Sequence, residues 1–332
     1  MSFSPAAGGA GRYAPSPSGD LHLGNLRTAL LAWLFARSSG RRFVMRIEDL
    51  DRARDAGNAE SQLADLASIG LDWDGDPVWQ TDRGPAYEAA IEQLRERDLV
   101  YECTCTRRDI LAAPTAPHAP PGAYPGTCRD RSDAERAAAR AAIHPRLPAL
   151  RLRAQDLQAP GELTQMEIPD RLLGTLHGDI DDFVLRRGDG TIAYNLAVVV
   201  DDAAMGIDQV VRGDDLASST PRQVLLQQLL GLPTPEYAHV PLVLGPTGAR
   251  LAKRDGAVTL RQLQDQGAKP EQVLTLLAQS LNLTRDLTNP EETVSATQLL
   301  ERFDAELLPK TPWVWNGSAA ASAISTTASE RE

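Results

Sequence analysis

Arg12-Tyr13-Ala14-Pro15-Ser16-Pro17-Ser18-Gly19-Asp20-Leu21-His22-Leu23-Gly24-Asn25 joins a short strand candidate, Gly11 to Ala14, to a helix. Leu26, Leu30, Trp33 and Leu34 recur at helical spacing, and Gly40 supplies the stop. Such a strand–turn–helix junction suits a phosphate. The helix start offers free N–H groups and a partial positive charge, and Gly24 lets a nucleotide come close to the backbone. His22 is a donor that can be aimed at charge building on an α-phosphate. Downstream, Phe43 to Ile47 is an apolar, partly β-branched run suited to a buried parallel strand. A second helix places Leu63, Leu66 and Ala67 on one face and closes at Gly70; a third places Tyr87, Ala90, Ile91 and Leu94 at i, i+3, i+4 and i+7. Strands alternating with helices of this length predict βαβ units, hence an α/β fold with a doubly wound parallel sheet.

At 332 residues, with 42% hydrophobic and 24% charged content, the chain can bury a full core. No apolar run approaches the roughly 18 residues of a membrane span. Met1 to Gly11 has no basic-then-apolar pattern, so the expectation is a cytoplasmic protein with no membrane partner. A net charge of -11 argues against non-specific coating of nucleic acid. It leaves room for a local basic surface, for which Arg129, Arg131, Arg136, Arg140, Arg146, Arg151 and Arg153 are the candidates. Three cysteines, two of them nearly adjacent, make no disulfide framework and point to metal binding.

From Cys103 to about His177 the rhythm breaks. Five prolines between Pro114 and Pro125 read as a loop, and an Ala/Arg-rich helix starts after Ser132, so this stretch reads as an insertion. Arg187-Gly188-Asp189-Gly190-Thr191 is a hairpin signal. Leu196 to Val200 is apolar throughout, which fits helix or strand equally. Val210-Val211 reads as strand, and Thr220 to Leu230 as a helix with Pro221 in its first turn. Leu242 to Leu244 is a strand candidate before the turn Gly245-Pro246-Thr247-Gly248, and Pro270 to Leu281 a helix. Ser318 to Glu332 has a disorder-prone composition.

The Arg12–Asn25 string resembles the "HIGH" signature of class I glutamyl-tRNA synthetases. The resemblance continues through Arg46-Ile47-Glu48-Asp49-Leu50-Asp51, Tyr194, Val199-Val200-Asp201-Asp202, Val211-Arg212-Gly213-Asp214-Asp215-Leu216 and Ser219-Thr220-Pro221-Arg222-Gln223, covering roughly residues 10 to 285. Arg250-Leu251-Ala252-Lys253-Arg254 resembles the "KMSKS" loop. Lys253 is one of only three lysines, with Lys269 and Lys310, and a compact point charge on phosphates is not well replaced by arginine. The resemblance implies ATP binding by Pro17, His22, Gly24, Asn25 and Lys253, with His22 and Lys253 as the catalytic pair and Mg2+ accompanying ATP. It implies glutamate contacts from Arg12, Ala14, Ser16, Glu48, Tyr194 and Arg212, a set carrying both signs of charge as an amino acid requires. Val198 departs from the asparagine usual in glutamyl-tRNA synthetases, which implies weaker glutamate binding.

Cys103, Cys105 and Cys128 need a fourth donor for a tetrahedral structural zinc site, and the residues offer His118 or Tyr124. The family pattern, Cys-x-Cys then Tyr-x-x-x-Cys, implies Tyr124. Fewer than eighty residues follow Arg254, which reads as lacking an anticodon-binding part. With the zinc pattern and Val198, this resembles the glutamyl-Q tRNA(Asp) synthetase family, which activates glutamate without tRNA and esterifies it to queuosine in tRNA(Asp). The implied fold is a class I synthetase Rossmann-like sheet divided as 1–102 (first catalytic half), 103–182 (zinc-binding insertion) and 183–235 (second half). There follow 236–290 (KMSKS-loop and stem-contact region) and a short helical C-terminal segment, 291–332. A monomer is expected. The competing readings are a truncated synthetase charging tRNA(Glu), a cofactor-making nucleotidyltransferase and a non-catalytic RNA-binding relative.

Overall fold

The computed structural model describes residues 8–112, 123–154, 157, 166–178, 180–249, 251, 258–284 and 292–316. Lys253 and its neighbours 250, 252 and 254, the alternative ligand His118, and the tail from Ser318 lie outside the described residues.

In chain order the strands and helices are β1 (Ala10–Tyr13), α1 (Leu23–Ser38), β2 (Arg42–Ile47), α2 (Ala59–Ser68), β3 (Val78–Trp79), α3 (Gly84–Arg95), β4 (Val100–Cys103), α4 (Arg107–Ala112), α5 (Asp133–Ile143) and β5 (Ala149–Leu152). They continue with β6 (Ile168–Asp170), β7 (Gly174–Leu176), β8 (Val184–Arg186), α6 (Tyr194–Ala204), β9 (Ile207–Gly213), α7 (Thr220–Leu230), β10 (Glu236–Val240), β11 (Val243–Leu244), α8 (Leu260–Asp265), α9 (Pro270–Ser280), α10 (Ala296–Arg302) and β12 (Trp313–Val314). The chain divides into two compact units: residues up to Trp79 with Gly206–Leu216 and Glu236 onward, and Gln80–Met205 with Ala217–Pro235.

In the first unit the strands run β3-β2-β1-β9-β10, every neighbouring pair parallel. The chain builds outward from β1 to β3, then restarts on the other side of β1 with β9. The carboxyl ends of β1 and β9 therefore flank a topological switch point, where open α/β sheets bind ligands. Helix α1 is buried almost all round, with Leu26, Leu30, Leu31, Leu34 and Phe35 in the core. It lies so close to β1 that a Cβ on Gly11 would come within 2.8 Å of the Ala36 Cβ. Arg27, 1% exposed, ties α1 to the segments behind it: Nη1 donates to the Pro241 carbonyl at 2.7 Å and Nε to Ser280 Oγ at 3.0 Å.

One helix presents a different face from the one its sequence suggests. Helix α2 buries Ala59, Gln62 and Leu66, leaving Ala67 exposed. Apolar periodicity missed Gln62 because a polar side chain occupies a core position.

In the second unit β4, β5 and β8 form an antiparallel sheet, and β6 and β7 a hairpin. These strands are three or four residues long, and the sequence reading singled out none of them. Helix α3 buries the anticipated Tyr87, Ala90, Ile91 and Leu94. The ambiguous run Leu196 to Val200 lies within helix α6. Asp201, fully buried on α6, accepts from Gln80 Nε2, Arg83 Nε and Tyr87 OH at 2.9, 3.2 and 2.7 Å. Helix α5 buries none of its residues and is started by a reciprocal Ser132–Glu135 capping box. The candidate basic patch is largely spent internally. Arg129 pairs with the buried Asp182, Arg131 and Arg146 bond Thr104, Arg136 pairs with Asp133, Arg140 with Glu102 and Arg153 with Asp130.

Candidate active site and cysteine cluster

Helix α1 begins with an unusual cap. His22 Nδ1 accepts from the backbone N–H groups of Gly24 and Asn25 at 3.1 and 3.4 Å, and Asn25 Oδ1 accepts from His22 N–H at 3.2 Å. An imidazole that accepts at Nδ1 carries its proton on Nε2, so the cap selects the tautomer that leaves Nε2 a donor. Burial lowers the His22 pKa, which favours this neutral form. Gly24 makes room for the imidazole in a way the sequence did not show: a Cβ there would lie 3.0 Å from His22 Cε1 and 3.1 Å from Nδ1, closer than such contacts ordinarily stand. The chain emerging from the Lys253 segment is pinned to the same helix start. Leu23 N–H donates to the Val258 carbonyl at 3.0 Å, and His22 forms an antiparallel bridge with Thr259. On the other flank, Leu251 N–H donates to the Val243 carbonyl.

The turn before α1 is held from outside. Glu48 N–H donates to the Pro15 carbonyl, and Ala56 N–H to the Pro17 carbonyl, both at 2.9 Å. Gln62 Nε2 donates to the carbonyls of Ser16 and Gly19 at 3.0 and 2.6 Å, and Asn58 Nδ2 to Asp20 Oδ1 at 2.7 Å. Pro15 and Pro17 are buried, Ala14 is half-buried and Ser16 is exposed.

Charged residues gather at neighbouring strand ends. Arg12 lies on β1, Arg212 on β9, and Glu48 follows the last residue of β2. Arg12 and Arg212 are each 5% exposed. Arg12 Nη1 donates to the Val211 carbonyl at 3.2 Å, and the buried Arg46 bonds Glu48 Oε1 at 3.2 Å. Arg212 Nε donates to His239 Nε2 at 3.0 Å, and its guanidinium lies 5.5 Å from the Tyr237 ring centre. Tyr13 bonds the Asn25 carbonyl at 3.2 Å, and burial pushes its phenol pKa up. His239, fully buried, and Arg46 were not singled out in the sequence. An isolated histidine in a strand gives no pattern, and Arg46 was quoted only as part of a block. Tyr194, the first residue of α6, belongs to the second unit with its side chain exposed, and Val198 on the same helix is 1% exposed.

Within the second unit Cys103, Cys105 and Cys128 bring their sulfur atoms within 4.8 Å of one another. Cys103 donates to the Tyr124 hydroxyl at 3.4 Å, and Cys105 Sγ lies 3.8 Å from that oxygen and 3.5 Å from Cys128 Sγ. Cys128 N–H also donates to the Tyr124 oxygen at 2.9 Å, and the Arg151 guanidinium lies 3.7 Å over its ring. Hydrogen bonding from Cys103 holds the Cys128 thiol well below its usual range, with Tyr124 contributing, while Cys103 is raised in turn. Around a tetrahedral ion with metal–sulfur bonds of about 2.3 Å, donors stand about 3.8 Å apart. The cluster's spacing suits such an ion, and three sulfurs with one oxygen complete four donors.

The family model for tRNA synthetases class I (E and Q), catalytic domain, matches residues 10–319. A glutamyl-Q tRNA(Asp) synthetase of Nocardia farcinica is 64% identical over 310 residues, covering 93% of this chain and 94% of that protein. One from Cutibacterium acnes is 50% identical, covering 87% and 80%. Among solved structures, a glutamate tRNA ligase of Elizabethkingia meningosepticum, crystallised with its amino acid, matches with a TM-score of 0.77 at 26% identity, over 95% of this chain and 68% of that one. With its parallel switch-point sheet, the family model over residues 10–319 and 64% identity to a relative covered to 94%, the chain belongs to the class I tRNA synthetases (E and Q), in the glutamyl-Q tRNA(Asp) synthetase branch.

Proposed function

We propose that the chain activates glutamate with Mg-ATP in the absence of tRNA and transfers it to queuosine in tRNA(Asp). The observation that carries this reading is the gathering of Arg12, Glu48 and Arg212 at the adjacent ends of β1, β2 and β9, with the His22-capped start of α1 following β1. Arginine forks grip carboxylates, and Glu48 complements the ammonium. Within the first unit Ala14 and Ser16 complete the glutamate contacts, while Pro17, Gly24 and Asn25 line the nucleotide side. The glutamate α-carboxylate attacks the α-phosphorus of ATP in line, the bond to the β-phosphate bridging oxygen breaks, and pyrophosphate leaves. His22 Nε2–H and Lys253 neutralise charge as it develops, so no covalent enzyme intermediate is needed. A cyclopentenediol hydroxyl of queuosine then attacks the acyl carbon and AMP leaves. The relatives' names, which specify tRNA(Asp), favour this acceptor over tRNA(Glu). Charging of tRNA(Asp) with and without queuosine tests it: glutamate incorporation only into the modified tRNA is expected, and charging of unmodified tRNA(Glu) would overturn it.

Cys103, Cys105, Cys128 and Tyr124 would hold zinc as a structural staple, a role favoured because four protein donors leave no open position for chemistry. Elemental analysis should find about one zinc per chain. Chelation should lower the melting temperature, and a metal-free protein with unchanged melting would contradict the assignment.

A further inference from the structure

We propose that Gln62 is a positioning residue for the adenylate-forming site, acting by tying together the two ends of the turn that leads into α1. The inference rests on the adenylation reading above for its functional consequence, but its structural basis stands apart. Gln62 is 1% exposed, on the buried face of α2 beside Ala59 and Leu66, where an apolar side chain would be ordinary. Its amide nitrogen spends both hydrogens on one object, bonding the carbonyls of Ser16 and Gly19. Its Oε1 is buried with no hydrogen-bond partner among the described residues. An orphaned buried acceptor is a net cost that methionine, of similar volume, would remove. The packing of α2 therefore does not need an amide; what the amide adds is the span from Ser16 to Gly19. That span encloses Pro17 and Ser18 and ends three residues before His22, so it sets where Ser16 and Pro17 stand relative to the capped helix start.

Ser16 is exposed and Gly19 half-buried, so once released their carbonyls can turn to water, and the loss falls on position rather than on burial. Gln62→Met separates the two. The full-length variant should melt within about 2 °C of the parent, while amide hydrogen exchange across residues 14–25 quickens about tenfold. In glutamate-dependent ATP–pyrophosphate exchange, the KM for glutamate should rise about tenfold, with kcat changing less than threefold. Gln62→Asn, which keeps the amide on a shorter arm, should recover part of the KM. Unchanged hydrogen exchange across the turn would overturn the tie whatever the activity. A lowered melting temperature with unaltered KM would reduce Gln62 to packing and overturn the positioning role. Loss of protection in the variant, combined with no glutamate-dependent exchange by the parent, would refute the adenylation reading and with it the catalytic half of the proposal, leaving the tie intact.

Discussion

Replacing Gly24 by alanine separates helix stability from imidazole placement. The added Cβ would sit 3.0 Å from His22 Cε1 and 3.1 Å from Nδ1, where relaxed carbon contacts are about 3.5–4.0 Å, so the ring must retreat by a few tenths of an ångström. Retreat lengthens the bond from Gly24 N–H, now 3.1 Å, and carries the one from Asn25 N–H, already 3.4 Å, beyond useful length. Losing an N-cap costs about 0.5–2 kcal/mol, while alanine for glycine within a helix returns up to about 1 kcal/mol. The net change in stability should be about 1 kcal/mol or less, a shift of a few degrees in melting temperature. Catalysis has no such offset. A donor that meets charge only in the transition state is worth about 10²–10³ in rate when removed, and a displaced one loses part of that. Glutamate-dependent ATP–pyrophosphate exchange should therefore fall about ten- to a hundredfold in a protein that still melts normally. Exchange within twofold of the parent would refute the claim that Gly24 exists to seat His22.

Three further outcomes follow from the same geometry. His22→Asn keeps a good cap but removes Nε2, so melting should hold while exchange falls about a hundredfold; parallel losses of both would assign His22 a purely structural role. His239→Ala strips the acceptor from Arg212 Nε and should cost about 1–3 kcal/mol of stability with a raised glutamate KM; His239→Gln, whose amide oxygen can accept the same bond, should restore much of both. Asp65 is raised to about 6 by burial and by the nearby Asp20. Its folded pKa thus exceeds the unfolded value of about 3.9, the folded state binds the proton more tightly, and stability is gained as pH falls from above 6 towards 4. Asp65→Asn should then raise the melting temperature at pH 7–8, with the advantage fading by about pH 4; an advantage independent of pH would show that the carboxylate charge is not its cause.

How far the sequence reached depended on what kind of signal each element carries. Strand β1, the turn and α1 were legible because Pro, Gly and an apolar helical period punctuate them locally. Helix α3 was legible for the same reason. The β4-β5-β8 sheet was not, because its strands are three or four residues long and their partners lie tens of residues away, across a proline-rich segment. Gln62 and His239 escaped because each puts a polar side chain in a buried position, where its worth lies in one distant bond. The roles of Arg12, Glu48 and Arg212 were suggested by family motifs, and parallel strand order explains why residues 36 or more positions apart in sequence stand at neighbouring strand ends. The cysteine cluster was visible as spacing; the Tyr124 oxygen as a neighbour to two sulfurs needed the resemblance, since ligand chemistry alone favoured His118.

The central claim is that one carboxyl-end site on this sheet joins glutamate to AMP. Incubating the purified chain with ATP, Mg2+ and labelled pyrophosphate, with no tRNA, tests it most directly. Label should enter ATP when glutamate is added and not when aspartate or glutamine replaces it. No glutamate-stimulated incorporation by a folded chain would contradict the account.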